Sequence, residues 1–402
     1  MHFLFVTLSI LILLFVLLFV GIWLDIASGK RVKGPLLPKH TMDRSYNKLH
    51  YYTEGHDLFR EMRQTIDAAK DHVYLSFFIF EADEAGKPWL ELLMQKARQG
   101  LDVRLLVDFL NSRSLHRNLD ELRAAGVHVA FSGKIKFPFT FYYLNRRNHR
   151  KILTVDGTTG YFGGFNVGME YLGNNSLMGE WHDNHLRLEG NGVLHLEHVF
   201  AADWLAATGE TLDFSKQVAV GDGPSTLDLI ATNANQAEDI FADYFRKARS
   251  SIVICSPYFI PSKKLFDVLL DRLANGIELS ILVPMKADHM LVKPASFYYL
   301  APLVEKGAHL YRFHQGFYHA KIFIVDKRRF YIGSANFDQR SLFWNDELLS
   351  FSEDPALAAE LLAQFERDVT DCSKEFTKED FSRRSLVDHV KTACTLPFHS
   401  FL

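Results

Sequence analysis

Two short segments of the chain carry the same three chemically capable side chains at the same spacing. The first reads Asn148-His149-Arg150-Lys151 and reaches Asp156 after Ile-Leu-Thr-Val; the second reads His319-Ala320-Lys321 and reaches Asp326 after Ile-Phe-Ile-Val. Period-two alternation along a strand puts His149 and Lys151 on one face, and likewise His319 and Lys321. An imidazole attacks phosphorus or moves a proton, and an ammonium beside it stabilises charge on a phosphate oxygen. A single copy reads equally well as a satisfied core histidine and a surface lysine. Two copies at equivalent positions make the phosphate chemistry the stronger reading. Each motif then exits through small residues to an asparagine at a matching offset, Tyr161-Phe-Gly-Gly-Phe-Asn166 and Tyr331-Ile-Gly-Ser-Ala-Asn336. The amides of Asn166 and Asn336 are candidate donors to a phosphate oxygen, whereas the glycines alone read as structural turns.

Elements that position such motifs also occur twice. Asp71 to Phe80 is matched by Ser250 to Phe259, each after a helix-like stretch ending in Ala-Lys or Ala-Arg. Leu92 to Gly100 runs into the strand Asp102 to Asp108, as Leu269 to Gly276 runs into Glu278 to Val283, with glycine placed as a helix C-cap. A second helix closes at Gly126 in one half and at Gly307 in the other. This alternation predicts an α/β fold of two pseudo-symmetric halves, each a mixed β-sheet flanked by helices. Glycines and a proline between Thr208 and Ser225 place the boundary there, giving domains at 45–215 and 216–402 that pack tightly against each other.

From Phe3 to Leu24 the chain is apolar apart from Thr7, Ser9 and Gly21, long enough for one transmembrane helix. No basic segment precedes it and it exceeds a signal core, so an uncleaved anchor is expected. Lys30, Arg31 and Lys33 follow the helix while only His2 precedes it, which places the body on the cytoplasmic side of a cell membrane. A segment just ahead of the first motif, Phe137-Pro-Phe-Thr-Phe-Tyr-Tyr143, is flanked by Lys134, Lys136, Arg146 and Arg147 and has no counterpart before His319. It suits contact with anionic lipid; the plainer alternative is a segment covering the core.

A formal net charge of -3 gives no general field for nucleic acid, and the basic residues form no extended stripe. Cys255, Cys372 and Cys394 have no metal-ligand or CxxC spacing and read as ordinary thiols. No metal site and no cofactor is expected.

Paired His-x-Lys-x4-Asp motifs followed by Gly-Gly-x-Asn and Gly-Ser-x-Asn resemble the phospholipase D superfamily. Trp181-His-Asp183, and Asn336-Phe-Asp-Gln-Arg-Ser341 through Asn345-Asp-Glu347, resemble its bacterial cardiolipin synthase branch. The chain departs from the commonest members in having one clear N-terminal membrane helix instead of two, and its shorter length resembles the minor or secondary members. The resemblance implies one active site between the halves, with His149 as nucleophile forming a phosphohistidine and His319 as acid/base. Lys151, Lys321, Asn166 and Asn336 would hold the phosphate. Asp183 would orient His149 and Glu347 would orient His319, each within its own half, while Asp156 and Asp326, counted with the catalytic motif, would brace the site. The implied reaction joins two phosphatidylglycerol molecules into cardiolipin and glycerol. A phospholipase D hydrolase or a phosphatidylserine synthase would use the same core, and a superfamily nuclease is a more distant alternative.

Overall fold

The structure, a computed structural model, describes residues 2–31, 43–175, 177–213, 221 and 223–402. The first half supplies strands β1 (Asp43–Glu54), β2 (His72–Phe77), β3 (Asp102–Asp108), β4 (His128–Ser132), β5 (Ile152–Val155), β6 (Thr159–Gly163) and β7 (Trp181–Gly190). The second supplies β8 (Ser225–Asn233), β9 (Ser251–Cys255), β10 (Phe259–Ile260), β11 (Glu278–Pro284), β12 (His309–Phe313), β13 (Phe317–Tyr318), β14 (Ile322–Val325), β15 (Arg329–Gly333), β16 (Phe337–Asp338), β17 (Asp346–Ser352) and β18 (Ser373–Glu375).

The halves meet along the antiparallel pair β1 and β8. Outward from β1 the sheet runs β7, β6, β5, β2, β3, β4; outward from β8 it runs β17, β15, β14, β9, β11, β12, with β18 added at that edge. The two orders correspond strand for strand, so a pseudo-two-fold axis passes between β1 and β8. β5 and β14 lie deep within the sheet, which explains their uninterrupted apolar sequences: every residue of both is buried.

The C-cap glycines behave as expected. Gly100 and Gly276 adopt φ +93° and +77°, a region that costs a residue with a Cβ, and they release the chain from helix into β3 and β11. Among the described residues the three largest apolar clusters fill the layers, with a smaller fourth around Leu106, Phe200 and Trp204. One lies within the first half around Leu58, Trp89, Leu105 and Leu153. A second lies within the second half around Phe241, Leu265, Ile281 and Phe323. A third crosses the junction, where Ile152, Phe162 and Leu186 pack with Leu229, Ile324 and Phe330. Burying each such side chain is worth about 1.5–3 kcal/mol, so the shared cluster holds the halves in one fixed relation. The proposed boundary at 215 and 216 lies outside the described residues, as does Lys33.

The N-terminal helix His2–Gly29 contains a span, Phe5–Gly29, long and apolar enough to cross a membrane, with none of its hydrophobic window buried in the body. Its final turns nevertheless dock. The backbone N–H of Tyr142 donates to Asp25 Oδ1 at 2.9 Å, and Lys30 Nζ sits 4.5 Å from the ring centre of Trp344. The aromatic segment before the first motif is therefore divided in use. Its helix Thr140–Asn145 buries Tyr142 beside the anchor, whereas Phe137 projects outward. The C-terminal turn Leu396–Phe401 docks on the same region, with Trp344 Nε1 donating to the Ser400 carbonyl at 2.8 Å.

Candidate active site

Both histidines stand where their strands begin, and each half places its histidine against the other half. The backbone N–H of His149 donates to the Asp346 carbonyl at 2.9 Å, at the start of β17. That of His319 donates to the His182 carbonyl at 2.6 Å, at the start of β7, beside the parallel pairing of β13 with β7. The crossing fixes the side chains. His149 Nδ1 lies 3.0 and 3.1 Å from the Glu347 carboxylate oxygens, and His319 Nδ1 lies 2.5 Å from Asp183 Oδ2.

This corrects the expected pairing. Glu347 meets the His149 ring and Asp183 meets the His319 ring, because each strand that follows an asparagine turn runs beside the opposite half's motif. Asp156 and Asp326 are also corrected. They occupy the far ends of β5 and β14, with φ +53° and +56°, and bond backbone amides instead of facing the site. Asp156 accepts from the N–H groups of Lys70, Asp71 and His72 at 2.9–3.0 Å. Asp326 accepts from Arg249 and Ser250 at 2.8 Å and from Ser251 at 3.4 Å. They fix the turns that launch β2 and β9.

The lysines are fully buried next to their histidines. Lys151 Nζ donates to the His149 carbonyl at 2.7 Å; Lys321 Nζ donates to the His319 carbonyl and to Asp183 at 3.3 Å. Burial lowers the Lys151 ammonium to about 7, with Lys321 adding to the effect against Glu347, and burial likewise lowers Lys321. Burial pushes the Asp183 carboxyl upward, but Lys321 and His319 outweigh it and hold it at about 2. The Glu347 carboxyl is pushed up by burial and brought down to about 2 by His149, Lys151 and the Ser334 hydroxyl. Burial lowers His149 to about 4, aided by Lys151 and opposed by Glu347, and His319 is lowered chiefly by burial and Lys321. Two carboxylates and two lysine amines, both held below the ordinary lysine range, thus surround two imidazoles that burial keeps neutral.

The predicted asparagines are buried at the turns after β6 and β15. Asn166 accepts from the Ile79 N–H at 3.0 Å and donates to Tyr171 Oη at 3.2 Å; Asn336 donates to Asp338 Oδ2 at 3.2 Å, and its Oδ1 has no protein partner. One N–H of each amide remains beyond these bonds for a ligand.

Several contributors escaped the sequence reading. Ser334 donates to Glu347 Oε2 at 2.5 Å. The matching position is Gly164, where a Cβ would lie 1.9 Å from Asp183 Oδ1. A short carboxylate fills at one motif the space that a serine hydroxyl fills at the other. The pairing of Gly-Gly with Asp and Gly-Ser with Glu was the available signal. Phe78 meets the His149 ring edge-on at 4.8 Å, and Tyr258, one residue beyond the position that corresponds to Phe78, meets His319 at 6.2 Å while its hydroxyl donates to Asp288. Buried His185 has no protein partner for either ring nitrogen. Among the described residues no group of three or more His, Cys, Asp and Glu side chains is arranged to hold a metal ion.

Comparison with known proteins identifies the family. The family described as cardiolipin synthase, PLD-like domain, matches residues 62–204 and 241–369, one match per half. The chain is 38% identical over 382 residues to the minor cardiolipin synthase ClsB of Bacillus subtilis (strain 168), covering 94% of each. It is 36% identical to the major cardiolipin synthase ClsA of the same organism, over 89% of this chain and 76% of the relative. The crystal structure of phosphatidylserine synthase from Haemophilus influenzae Rd KW20 shares the fold, with a TM-score of 0.66 at 16% identity, covering 89% of this chain and 97% of that one. With a family match in each half and relatives more than 30% identical over most of their length, the chain belongs to the cardiolipin synthase family of phospholipase D-like phosphatidyltransferases.

Proposed function

We propose that this protein transfers a phosphatidyl group from one phosphatidylglycerol to the primary hydroxyl of another, giving cardiolipin and glycerol, at the cytoplasmic face of a membrane that its N-terminal helix spans. The observation that carries the reading is the pair of buried imidazoles, each with Nδ1 on an ionised carboxylate, so that Nε2 of each is left to substrate. At His149 the N–H thus sits on Nδ1 and the lone pair on Nε2, whereas His319 Nδ1 meets both Asp183 and Lys321 Nζ. His149 Nε2 attacks phosphorus as the bond to the glycerol oxygen breaks, and protonated His319 gives its proton to that oxygen. The phosphohistidine is then attacked by the hydroxyl of a second phosphatidylglycerol, which surrenders its proton to His319, and the P–N bond breaks.

Electrostatics support the proton assignment. Burial holds both imidazoles and both lysines below their ordinary ranges in the empty site, and the arriving phosphodiester brings one negative charge that favours proton uptake by these bases. An imidazolium at His319 beside neutral His149 is the state the first step requires. Lys151, Lys321, Asn166 and Asn336 then supply positive charge and donors for the non-bridging oxygens.

The test is incubation of purified protein with phosphatidylglycerol in mixed micelles, with and without chelator, followed by product identification and acid-stable against acid-labile phosphoenzyme analysis. Cardiolipin with released glycerol, insensitive to chelator, with an acid-labile adduct lost in His149→Ala but not in His319→Ala, is expected. Phosphatidic acid alone would make water the acceptor. An adduct on His319 would reverse the two roles.

A further inference from the structure

Outside the membrane helix, three of the most exposed large apolar side chains are Phe137, Leu177 and Met290, at 92%, 79% and 88% of full exposure. Topology brings them to one place. In the first half β2, β3 and β4 run parallel to one another and antiparallel to β5, so β4 ends on the side where β5 and β7 begin. In the second half β9 and β11 run antiparallel to β14, so β11 ends on the side where β14 and β17 begin. The bonds from the His149 N–H to the Asp346 carbonyl and from the His319 N–H to the His182 carbonyl bring these two ends together. Phe137 follows β4, Leu177 precedes β7 and Met290 follows β11. All three therefore stand at the end where His149 and His319 sit. Leu386, also exposed, opens the helix Leu386–Thr395, which packs on Val292–Glu305, a helix that itself starts at this end.

The arrangement follows the pseudo-two-fold. Phe137 belongs to the His149 side, beside the docked base of the anchor. Leu177 and Met290 belong to the His319 side, where no membrane helix lies, and their loops are tied together by Lys286 Nζ donating to the Met178 carbonyl at 2.8 Å. Isolated apolar tips on a soluble surface need no explanation, but several around the mouth of one site mark a docking surface.

We infer that the histidine end of the sheet docks on a phospholipid bilayer along both rims, with Leu177 and Met290 entering the interface opposite the anchored rim that carries Phe137. The inference rests on the lipid-substrate reading above. Continuity with the anchor selects the bilayer as occupant. A diester whose acyl chains stay in the membrane reaches two buried histidines only if the mouth between them is held against the head groups. One helix on one side leaves the body free to tilt away, and a second apolar rim across the axis prevents it.

The experiment uses the full chain reconstituted in vesicles of phosphatidylglycerol and phosphatidylcholine. An environment-sensitive fluorophore is placed on Leu177→Cys or Met290→Cys, with Cys372 and Cys394 changed to Ser and buried Cys255 retained. Blue-shifted emission quenched by nitroxide-labelled lipid is expected at both positions; water-like, unquenched emission would overturn the inference. Separately, the Leu177→Asp/Met290→Asp double variant is assayed on vesicles and on monomeric short-chain phosphatidylglycerol. A loss of about tenfold or more on vesicles with turnover on the monomer within about twofold is expected, whereas equal rates on vesicles would overturn it. If the parent turns over neither substrate, the proposed reaction fails while the probe result still decides the docking.

Discussion

Glu347 holds His149 although the two belong to opposite halves of the chain, with Nδ1 3.0 Å from Oε2, and Asp183 holds His319 in return. Neither half contains a complete histidine and carboxylate pair, so each pair exists only where the halves meet. Removing the charge from either carboxylate leaves its imidazole in the wrong tautomer or orientation. We expect Glu347→Gln and Asp183→Asn each to lower kcat by roughly 10²–10⁴. The crossing is checked by nitrogen NMR of labelled histidines: Glu347→Gln should shift the His149 resonances and leave those of His319 nearly in place, with the converse for Asp183→Asn. Shifts within the same half would contradict the crossed arrangement.

The repeated motifs, the anchor and the α/β order were legible because each is written locally: a period-two apolar run, a capping glycine, a His-x-Lys spacing. The crossing was not, because it depends on which strand lies beside which after the halves join along β1 and β8, and that is a property of the sheet. The aspartates of the motif show the same limit. Asp156 and Asp326 share a spacing with the histidines but lie one strand length away, where a carboxylate beside three backbone amides explains their recurrence without chemistry. The aromatic segment Phe137 to Tyr143 was legible as apolar and basic, but its division between Tyr142 on the anchor and Phe137 in the open required the fold.

The unequal turns after β6 and β15 give a paired test. Gly164 cannot accept a Cβ without displacing Asp183, so Gly164→Ser should disturb His319 and reduce kcat by more than about 10²-fold. Ser334→Ala removes one hydrogen bond to a buried carboxylate, a loss of about 1.5–3 kcal/mol, and should cost roughly 10–100-fold through His149. Steady-state rates on folded, monodisperse protein check both. A Gly164→Ser enzyme as active as Ser334→Ala would show that the close approach at Asp183 is relieved by movement elsewhere.

Proton uptake on binding follows from the lowered bases of the site. With His149 lowered to about 4, His319 lowered by burial and Lys151 lowered to about 7, the empty site holds bases that are not fully protonated at pH 7, and an arriving phosphate monoanion draws a proton onto them. Calorimetry of a short-chain phosphatidylglycerol binding to His149→Asn, which lacks the proposed nucleophile, should give an observed enthalpy that rises with the ionisation enthalpy of the buffer. A slope of zero would mean that the site already carries its full complement of protons before substrate arrives.

His185 links the site to stability. Burial lowers its imidazole to about 3, and Lys151 reinforces this against Asp183, so it folds neutral. Unfolding restores the ordinary value of 6.5, and between about pH 3 and 6.5 the unfolded chain binds a proton the folded chain refuses. His185 therefore costs nothing above that window and destabilises the fold progressively as pH falls through it, by about 1.4 kcal/mol per pH unit at most. Glu347 and Asp183 act in the same direction lower down, since their depressed values withdraw stability as pH falls from the unfolded carboxylate range toward about 2. In the β15 and β17 register Leu349 faces Gly333 as His185 faces Gly163, so His185→Leu substitutes the side chain that the second half already uses there. The variant should melt higher at every pH, since it also removes two unsatisfied ring nitrogens, and its melting temperature should fall less between pH 6.5 and 4.5 than that of the parent. Parallel melting curves across that range would place the acid sensitivity on the carboxylates and on His149 instead.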